Sequence, residues 1–266
     1  MIKKCQTNDD ICELLSYIDK EYKEAIYLYL DANRYGVKNK NVNSWIIKDD
    51  NHITAVVLVY HTGMHIFSRL KDFNVEEVSE FVLKINPTII CAESTVIRML
   101  SENLPDYISE FGHVAQYVGN ENVIEKNNIR KATSHDYKEM AEMLMSDEIG
   151  DSYTLEDLEN QIIERISDGF SRSYCMYVDN KMVAQASTGA EQSKVATIAY
   201  VMTKKEARGN GYGKEIVRFL CNDLKKDGFD IFLIYYSEEA GSLYLKNGFV
   251  NVCKYGKLYQ VVGENQ

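Results

Sequence analysis

The sequence predicts an α/β (α+β) protein made of two consecutive blocks, residues 1–120 and 127–266. Each block combines apolar residues at helical spacing with short apolar or alternating runs that are typical of strands. Within each block, helices precede a pair of strands and then helix and strand alternate, which indicates two α/β units. A chain of 266 residues is long enough for two such domains, and its 45% hydrophobic and 26% charged residues are typical of a globular protein.

The first block has the pattern of two helices, a strand, a polar turn and one or two further strands. A helix, a short apolar strand, a helix with a Ser or Thr cap and a final strand follow. In chain order these segments are DDICELLSYI, EAIYLYLDANRYG, SWIIKDDNHITAVVLVYHTGMHIF, VEEVSEFVLKI, TIICAE, STVIRMLSENL and HVAQYV. The polar, turn-rich segment GNENVIEKNN after them is the predicted linker.

The second block begins with a strand that ends at Ser134 or His135 and leads into a helix. A second helix, a hairpin that turns at Asp179 and Asn180, and a third strand come next. A glycine-rich stretch then leads to an amphipathic helix, a buried-type strand and a short helix, and a hairpin closes the block. After the first strand and helix, these segments are TLEDLENQIIERI, YCMYVDNKMVAQASTGAE, KVATIAYVMT, KEIVRFLCNDLKKDG, IFLIYYS, EEAGSLYLKNG and FVNVCKYGKLYQVV.

Charge and cysteine spacing exclude several classes of protein. The formal net charge of -10 and the pI near 5.1 argue against a nucleic-acid partner, which requires clustered Lys and Arg. No apolar run is long enough to span a bilayer, and the first residues lack the apolar stretch of a secretory signal, so we expect a cytoplasmic protein without a membrane partner. The six cysteines form none of the close pairs of zinc sites, so no metal is expected.

The stretch VMTKKEARGNGYGKEI, Val201 to Ile216, has three glycines between a predicted strand and a predicted helix. A strand that turns into a helix through glycines is typical of an anion site, because the first helical N–H groups have no partner and the helix dipole adds positive potential. The Walker pattern fails here, since Gly213-Lys214 is followed by Glu215 and Arg208 stands at its first glycine position. The dinucleotide pattern fails as well, because its third glycine falls on Lys214.

Two motifs in order carry a resemblance to a known family. The loop fits R-x-x-G-x-G at Arg208, Gly211 and Gly213, and SEEAGSLYLKNGF downstream fits N-x-x-A-x-x-L-Y-x-K-x-G-F. Residues 127–266 thereby resemble the GNAT superfamily of acetyltransferases, whose fold is a mixed, mostly antiparallel sheet flanked by helices. Two positions depart from the family pattern, Ser237 in place of the usual Asn and Lys205 in place of a frequent proline.

The resemblance implies acetyl-CoA as cosubstrate. It places the pantetheine arm between two splayed strands, against the main chain of Val201, Met202 and Thr203. It places the pyrophosphate on the glycine loop and adds Ser237 to the cofactor-binding set. The loop residues so implied are Arg208, Gly209, Asn210, Gly211, Tyr212, Gly213 and Lys214.

The implied reaction is direct attack by an acceptor amine on the thioester, so something must protonate the departing thiolate. By resemblance Tyr244 has this role, and a phenol, with a pKa of about 10, is protonated at neutral pH. The base is open: Glu191 is the first candidate, and Tyr200, Glu148 and Asp151 are the others.

The first block contains neither motif. Its resemblance to a degenerate GNAT-like domain rests on element order, so we expect it to be noncatalytic and unable to bind CoA by the usual loop. It would then cover the acceptor cleft, set specificity or replace a dimer partner.

The sequence therefore predicts an acetyl-CoA-dependent N-acetyltransferase, monomeric or homodimeric, that acts on the primary amine of a small molecule or peptide. The alternatives are a noncatalytic acyl-CoA-binding or regulatory module, and an acyltransferase with a different acyl group or a hydroxyl acceptor.

Overall fold

The computed structural model describes residues 1–119, 128–146, 154–167 and 169–260. The chain forms two compact units: Met1–Val114 together with Asn251–Gln266, and Ala115–Val250. The predicted linker falls almost entirely outside the described residues.

The first unit contains a mixed sheet in the order β1-β2-β3-β4-β5-β12. Only β4 and β5 pair in parallel, and the other neighbours are antiparallel. Apolar residues of α3 and α4 pack on one face of this sheet and form a core with it. The elements that begin in this unit are β1 (Ile2–Lys4), α1 (Asn8–Ile18), α2 (Ile26–Tyr35), β2 (Val42–Asp49), β3 (His52–Tyr60), β4 (Gly63–Phe67), α3 (Val75–Ile85), β5 (Ile89–Glu93), α4 (Ser94–Ser101) and β6 (Tyr107–Tyr117).

The second unit contains the strand order β11-β10-β9-β8-β7, in which only β10 and β11 are parallel. Helix α7 packs with one face of the sheet, and α5 and α6 form a second core on the other. The elements are β7 (Ile129–Lys131), α5 (Tyr137–Met145), α6 (Leu155–Ser167), β8 (Ser173–Val178), β9 (Lys181–Gln192), β10 (Val195–Thr203), α7 (Tyr212–Lys226), β11 (Asp230–Tyr235), α8 (Glu238–Leu245) and β12 (Phe249–Gln260).

The described elements repeat in the same order. From β1 to β6 and again from β7 to β12, the chain runs β-α-α-β-β-β-α-β-α-β. The predicted α/β class, with a mixed and mostly antiparallel sheet flanked by helices, is confirmed for both halves.

The C-terminal segment differs from its prediction. Residues 249–260 form the single strand β12 rather than a hairpin. Gly256 lies within the strand, where an added Cβ would come 3.1 Å from side-chain atoms of Ile97 and Phe111. The second half of β12, which includes Gly256, pairs with β5 from Tyr255 opposite Glu93 to Tyr259 opposite Ile89, so this end of the chain groups with the first unit rather than with the second block.

The first strand of the second unit is also shorter than predicted. It ends at Lys131, and a turn leads to Asp136, whose carboxylate accepts hydrogen bonds from the Thr133 N–H and from the Arg130 guanidinium. These bonds hold the start of α5 and lower the pKa of Asp136, the Arg130 hydrogen bond having the largest effect. In the part of the chain that the structure describes, no helix is both long and apolar enough to cross a membrane.

Candidate active site

Strands β10 and β11 pair along only part of their length. Their parallel register runs from Val195 opposite Asp230 to Ile198 opposite Leu233. Strand β10 then continues to Thr203 and β11 to Tyr235 beyond the last pair. Residues 199–203 of β10 and 234–235 of β11 therefore lie beyond the last pair, where the resemblance implies a gap between the strands.

A bulge lies at the start of this gap. Ala199 pairs with Ser187 and Met202 pairs with Gln185, so two residues of β10 stand opposite one residue of β9. The first of the two, Tyr200, has a φ of 53°, which is uncommon for a residue with a side chain. A bulge redirects the main chain, and this one includes Val201 and directly precedes Met202 and Thr203, the other two predicted pantetheine partners.

The glycine loop after β10 has the backbone of an anion site. Gly209 and Gly211 have φ values of 83° and 80°, and an added Cβ at either would meet no atom within 4 Å. Backbone conformation, rather than lack of space, therefore requires glycine at these positions. Two hydrogen bonds stabilise the loop. The Asn210 side-chain amide donates to the Ala207 carbonyl at 3.1 Å, and Arg208 Nε donates to the Thr203 carbonyl at 3.3 Å.

Helix α7 begins at Tyr212, directly after Gly211. Its cap residue, Gly211, has no side chain that could accept a hydrogen bond from the helix, so the first N–H groups and the positive end of the helix dipole face the loop. Gly213 lies close to the end of β10, since an added Cβ would be 3.1 Å from Thr203 Oγ1. This close contact places the start of the helix beside the predicted pantetheine strand, an arrangement suited to a phosphate group.

The corresponding helix of the first unit is closed to anions. Helix α3 is capped by Asn74, whose side chain accepts a hydrogen bond from the Glu77 N–H at 2.9 Å. Glu76 and Glu77 add negative charge to its first turn. The preceding segment, residues 68–74, contains no glycine. A phosphate would meet an occupied cap and two carboxylates there.

Tyr244 lies in helix α8, and its side chain is half-buried. The Tyr244 ring centroid lies 6.2 Å from that of Tyr235 and 5.8 Å from that of Phe249. Ser237 Oγ accepts a hydrogen bond from the Ala240 N–H at 3.2 Å and caps the helix, so this hydroxyl has a structural role. Its role in cofactor binding remains a prediction.

The structure argues against Glu191 as the general base. Arg172 binds both of its carboxylate oxygens, at 2.9 and 2.7 Å, and the Thr188 hydroxyl donates to it at 2.7 Å. The side chain is only 9% exposed, and Arg172 also pairs with Asp223 and Asp227 of the α7 segment. Arg172 and Thr188 thus occupy both oxygens of a largely buried carboxylate and leave little access for an acceptor amine, so Glu191 instead joins the end of β9 to α7.

We expect Glu191→Gln to leave kcat within about two-fold of the wild type and to lower the free energy of unfolding by about 2 kcal/mol. The reason for the loss is that a largely buried Arg172 keeps only two of its three anionic partners. Chemical denaturation and steady-state kinetics measure the two effects. Glu156→Gln, on an exposed position of α6, serves as the control and should change neither. A large fall in kcat without loss of stability would restore Glu191 as the base.

Of the other three candidates for the general base, the structure describes only Tyr200. Tyr200 lies in the bulge and packs against the α5–α6 core. Glu148 and Asp151 lie outside the described residues. The assignment of a base therefore stays open.

A cavity of about 550 Å³ lies between α5 and the residues just after β10, and none of the predicted site residues that the structure describes lines it. It is lined in part by His135, Glu142 and Lys205, and by Glu139 and Lys204, which form an ion pair of 2.6 Å. The only sequence signal for it is the recurrence of polar residues along one side of the α5 pattern. Among the described residues, no group of three or more His, Cys, Asp or Glu is placed to hold a metal ion.

Comparison with known proteins identifies the second unit. The family model of the acetyltransferase (GNAT) family matches residues 137–249. No curated protein matches the sequence.

Several solved structures share the fold. A GNAT-family acetyltransferase of Colwellia psychrerythraea covers 98% of this chain and 99% of its own, with a TM-score of 0.62 at 13% identity. A Drosophila protein covers 98% of both chains with a TM-score of 0.68 at 10% identity. A GCN5-related N-acetyltransferase of Sphaerobacter thermophilus covers 98% of this chain and 95% of its own, with a TM-score of 0.63 at 13% identity.

At these identities the structures show similarity of fold alone. Their coverage includes the first unit, which therefore also aligns with structures of the GNAT family. The family match, the glycine loop at the start of α7 and the partial pairing of β10 with β11 agree with one another. Residues 137–249 of this chain are thus a domain of the GNAT acetyltransferase family.

Proposed function

We propose that the second unit is an acetyl-CoA-dependent N-acetyltransferase that acts on the primary amine of a small molecule or a peptide. The observation that carries the proposal is the uncapped start of α7, reached through glycines with positive φ, directly beside the gap between β10 and β11. That combination suits a long cosubstrate that has a pyrophosphate at one point and an extended amide-containing arm at another.

In this proposal the main-chain N–H groups from Gly209 to Lys214 hold the pyrophosphate, with Arg208 as a charge partner. The main chain of Val201, Met202 and Thr203 pairs with the pantetheine arm as an added strand would. The open space around Gly209 and Gly211 supports the first assignment, and the bulge supports the second. Ser237, at the end of the gap, completes the cofactor-binding set.

The acceptor amine attacks the thioester carbonyl carbon with its lone pair, and the carbonyl becomes an oxyanion. A main-chain N–H of β10 stabilises that charge, an effect worth about 3 kcal/mol for one donor. The C–S bond then breaks, the sulfur takes the bonding pair, and the Tyr244 hydroxyl donates a proton to it. The oxyanion re-forms the carbonyl as the sulfur leaves, and the former amine nitrogen loses a proton to solvent or to a base. Tyr244 regains a proton from solvent, and the products are an amide and free CoA.

The test is release of free thiol when the protein is incubated with acetyl-CoA and a panel of primary amines and peptides. We expect at least one acceptor to raise thiol release above the rate without acceptor. Binding calorimetry should give one CoA site per chain, because the start of α3 is closed by Asn74.

Binding of CoA without thiol release for any amine would instead favour the noncatalytic acyl-CoA-binding module. Release with a hydroxyl acceptor, or only with a longer acyl-CoA, would favour an acyltransferase of different specificity. Two CoA sites per chain would contradict the assignment of the first unit as unable to bind CoA.

A further inference from the structure

The Tyr244 ring is held between two other aromatic rings. Tyr235, the last residue of β11, is 8% exposed, and its ring meets that of Tyr244 at an interplanar angle of 45°. Phe249, which is 2% exposed, meets Tyr244 edge-on at 66°. Tilted and edge-to-face contacts of this kind are favourable for aromatic pairs. Tyr235 thus connects the strand that borders the gap to the helix that bears the proposed acid.

Gly241 makes room for the Tyr235 ring. It lies buried in the interior of α8, where glycine is a poor helix former, and its φ is not positive, so its backbone does not require glycine. An added Cβ would lie 2.6 Å from Tyr235 Cε2 and 3.1 Å from Cζ, closer than side-chain carbons approach. The ring therefore lies directly against the helix backbone, and only glycine at 241 allows it to do so.

We infer that Tyr235 is a positioning residue for the Tyr244 hydroxyl, and that Gly241 is required because it admits the Tyr235 ring. The inference rests on the proposed function, in which Tyr244 protonates the thiolate. Helix α8 has only eight residues, so a change at Tyr235 is transmitted directly to Tyr244. A displacement of about 1 Å of a catalytic group is enough to slow a reaction by orders of magnitude.

The experiment compares Tyr235→Leu, Tyr235→Phe and Gly241→Ala in the full-length chain labelled with ¹³C-tyrosine. The Tyr244 ring signal is assigned by its absence in Tyr244→Phe, and its shift can be followed whether or not an acceptor is known. We expect Tyr235→Leu and Gly241→Ala to shift this signal and to lower kcat about ten-fold, with the Kd for acetyl-CoA within about two-fold. Tyr235→Phe keeps the ring and should behave like the wild type.

A separate experiment tests whether glycine is required at 241 because of the Tyr235 ring. Gly241→Ala should lower the melting temperature in the wild-type background but not in Tyr235→Leu, where the ring that meets the new Cβ is gone. Equal losses in both backgrounds would overturn the role assigned to Gly241. Should Gly241→Ala fail to fold, Tyr235→Leu still tests the positioning.

An unchanged Tyr244 signal and kcat in folded Tyr235→Leu would overturn the inference. So would an equal loss of kcat in Tyr235→Phe, because the hydroxyl rather than the ring would then matter. If Tyr244→Phe itself leaves kcat unchanged, Tyr244 is not the general acid. Positioning of Tyr244 by Tyr235 would then have no consequence for catalysis. The separate variants thus distinguish the two failures.

Discussion

Replacing Tyr244 by phenylalanine is expected to lower kcat about 100-fold and to leave the Kd for acetyl-CoA within about two-fold. The ring stays between Tyr235 and Phe249, so packing is retained and only the hydroxyl is lost. A positioned general acid contributes at least about 100-fold to a rate, and without it the sulfur must leave as an unprotonated thiolate. An interaction made only in the transition state affects kcat and not binding.

Steady-state kinetics at saturating acceptor and calorimetry with acetyl-CoA measure these two quantities. The control is Tyr259→Phe, which removes a hydroxyl from a partly buried tyrosine of β12 in the first unit and should change neither. An unchanged kcat in Tyr244→Phe would remove the residue from the mechanism, even if acetyl-CoA binds normally.

Gly211→Asp is expected to weaken CoA binding by at least about 100-fold while the protein stays folded. The substitution adds a negative charge at the start of α7, where the pyrophosphate would bind. Two unit charges 4 Å apart repel by about 4 kcal/mol at an effective dielectric constant of 20. A 100-fold loss corresponds to about 2.7 kcal/mol, so the repulsion is sufficient even after partial screening.

The matched control is Gly228→Asp. Gly228 also has a positive φ, 75°, with no atom within 4 Å of an added Cβ, but it follows the opposite end of the same helix. Both variants therefore introduce similar backbone strain and the same charge, and only their distance from the proposed pyrophosphate site differs. Calorimetry should show normal CoA binding in Gly228→Asp, and comparable losses in both variants would contradict the site.

Much of the fold follows from local pattern. The helices of both halves and the strands before and after the glycine loop lie close to their predicted positions, because apolar spacing and capping residues act within a few residues of one another. The anion-binding character of the loop is local in the same sense, since Gly209 and Gly211 need positive φ and Gly211 leaves α7 without a side-chain cap.

Other features depend on contacts between different elements of the fold, which the pattern of a single element does not show. Glu191 forms an ion pair with Arg172, but the local sequence around Glu191 is equally compatible with an exposed carboxylate. Gly256 and Gly241 resemble turn and helix-breaking signals, yet one lies in a strand against Ile97 and Phe111 and the other lies in a helix against Tyr235. The local sequence pattern does not show the side chains from other elements that would clash with a Cβ at these two glycines.

The sequence by itself therefore determined the class of the fold, the glycine loop and the tyrosine helix, because each is encoded within a short segment. Only the tertiary structure decided that β12 is one strand paired with β5, that Glu191 is held in an ion pair, and that Tyr244 packs between Tyr235 and Phe249. Strand pairing and side-chain packing join residues of different elements, and their energies depend on distances in the folded chain that no local pattern specifies.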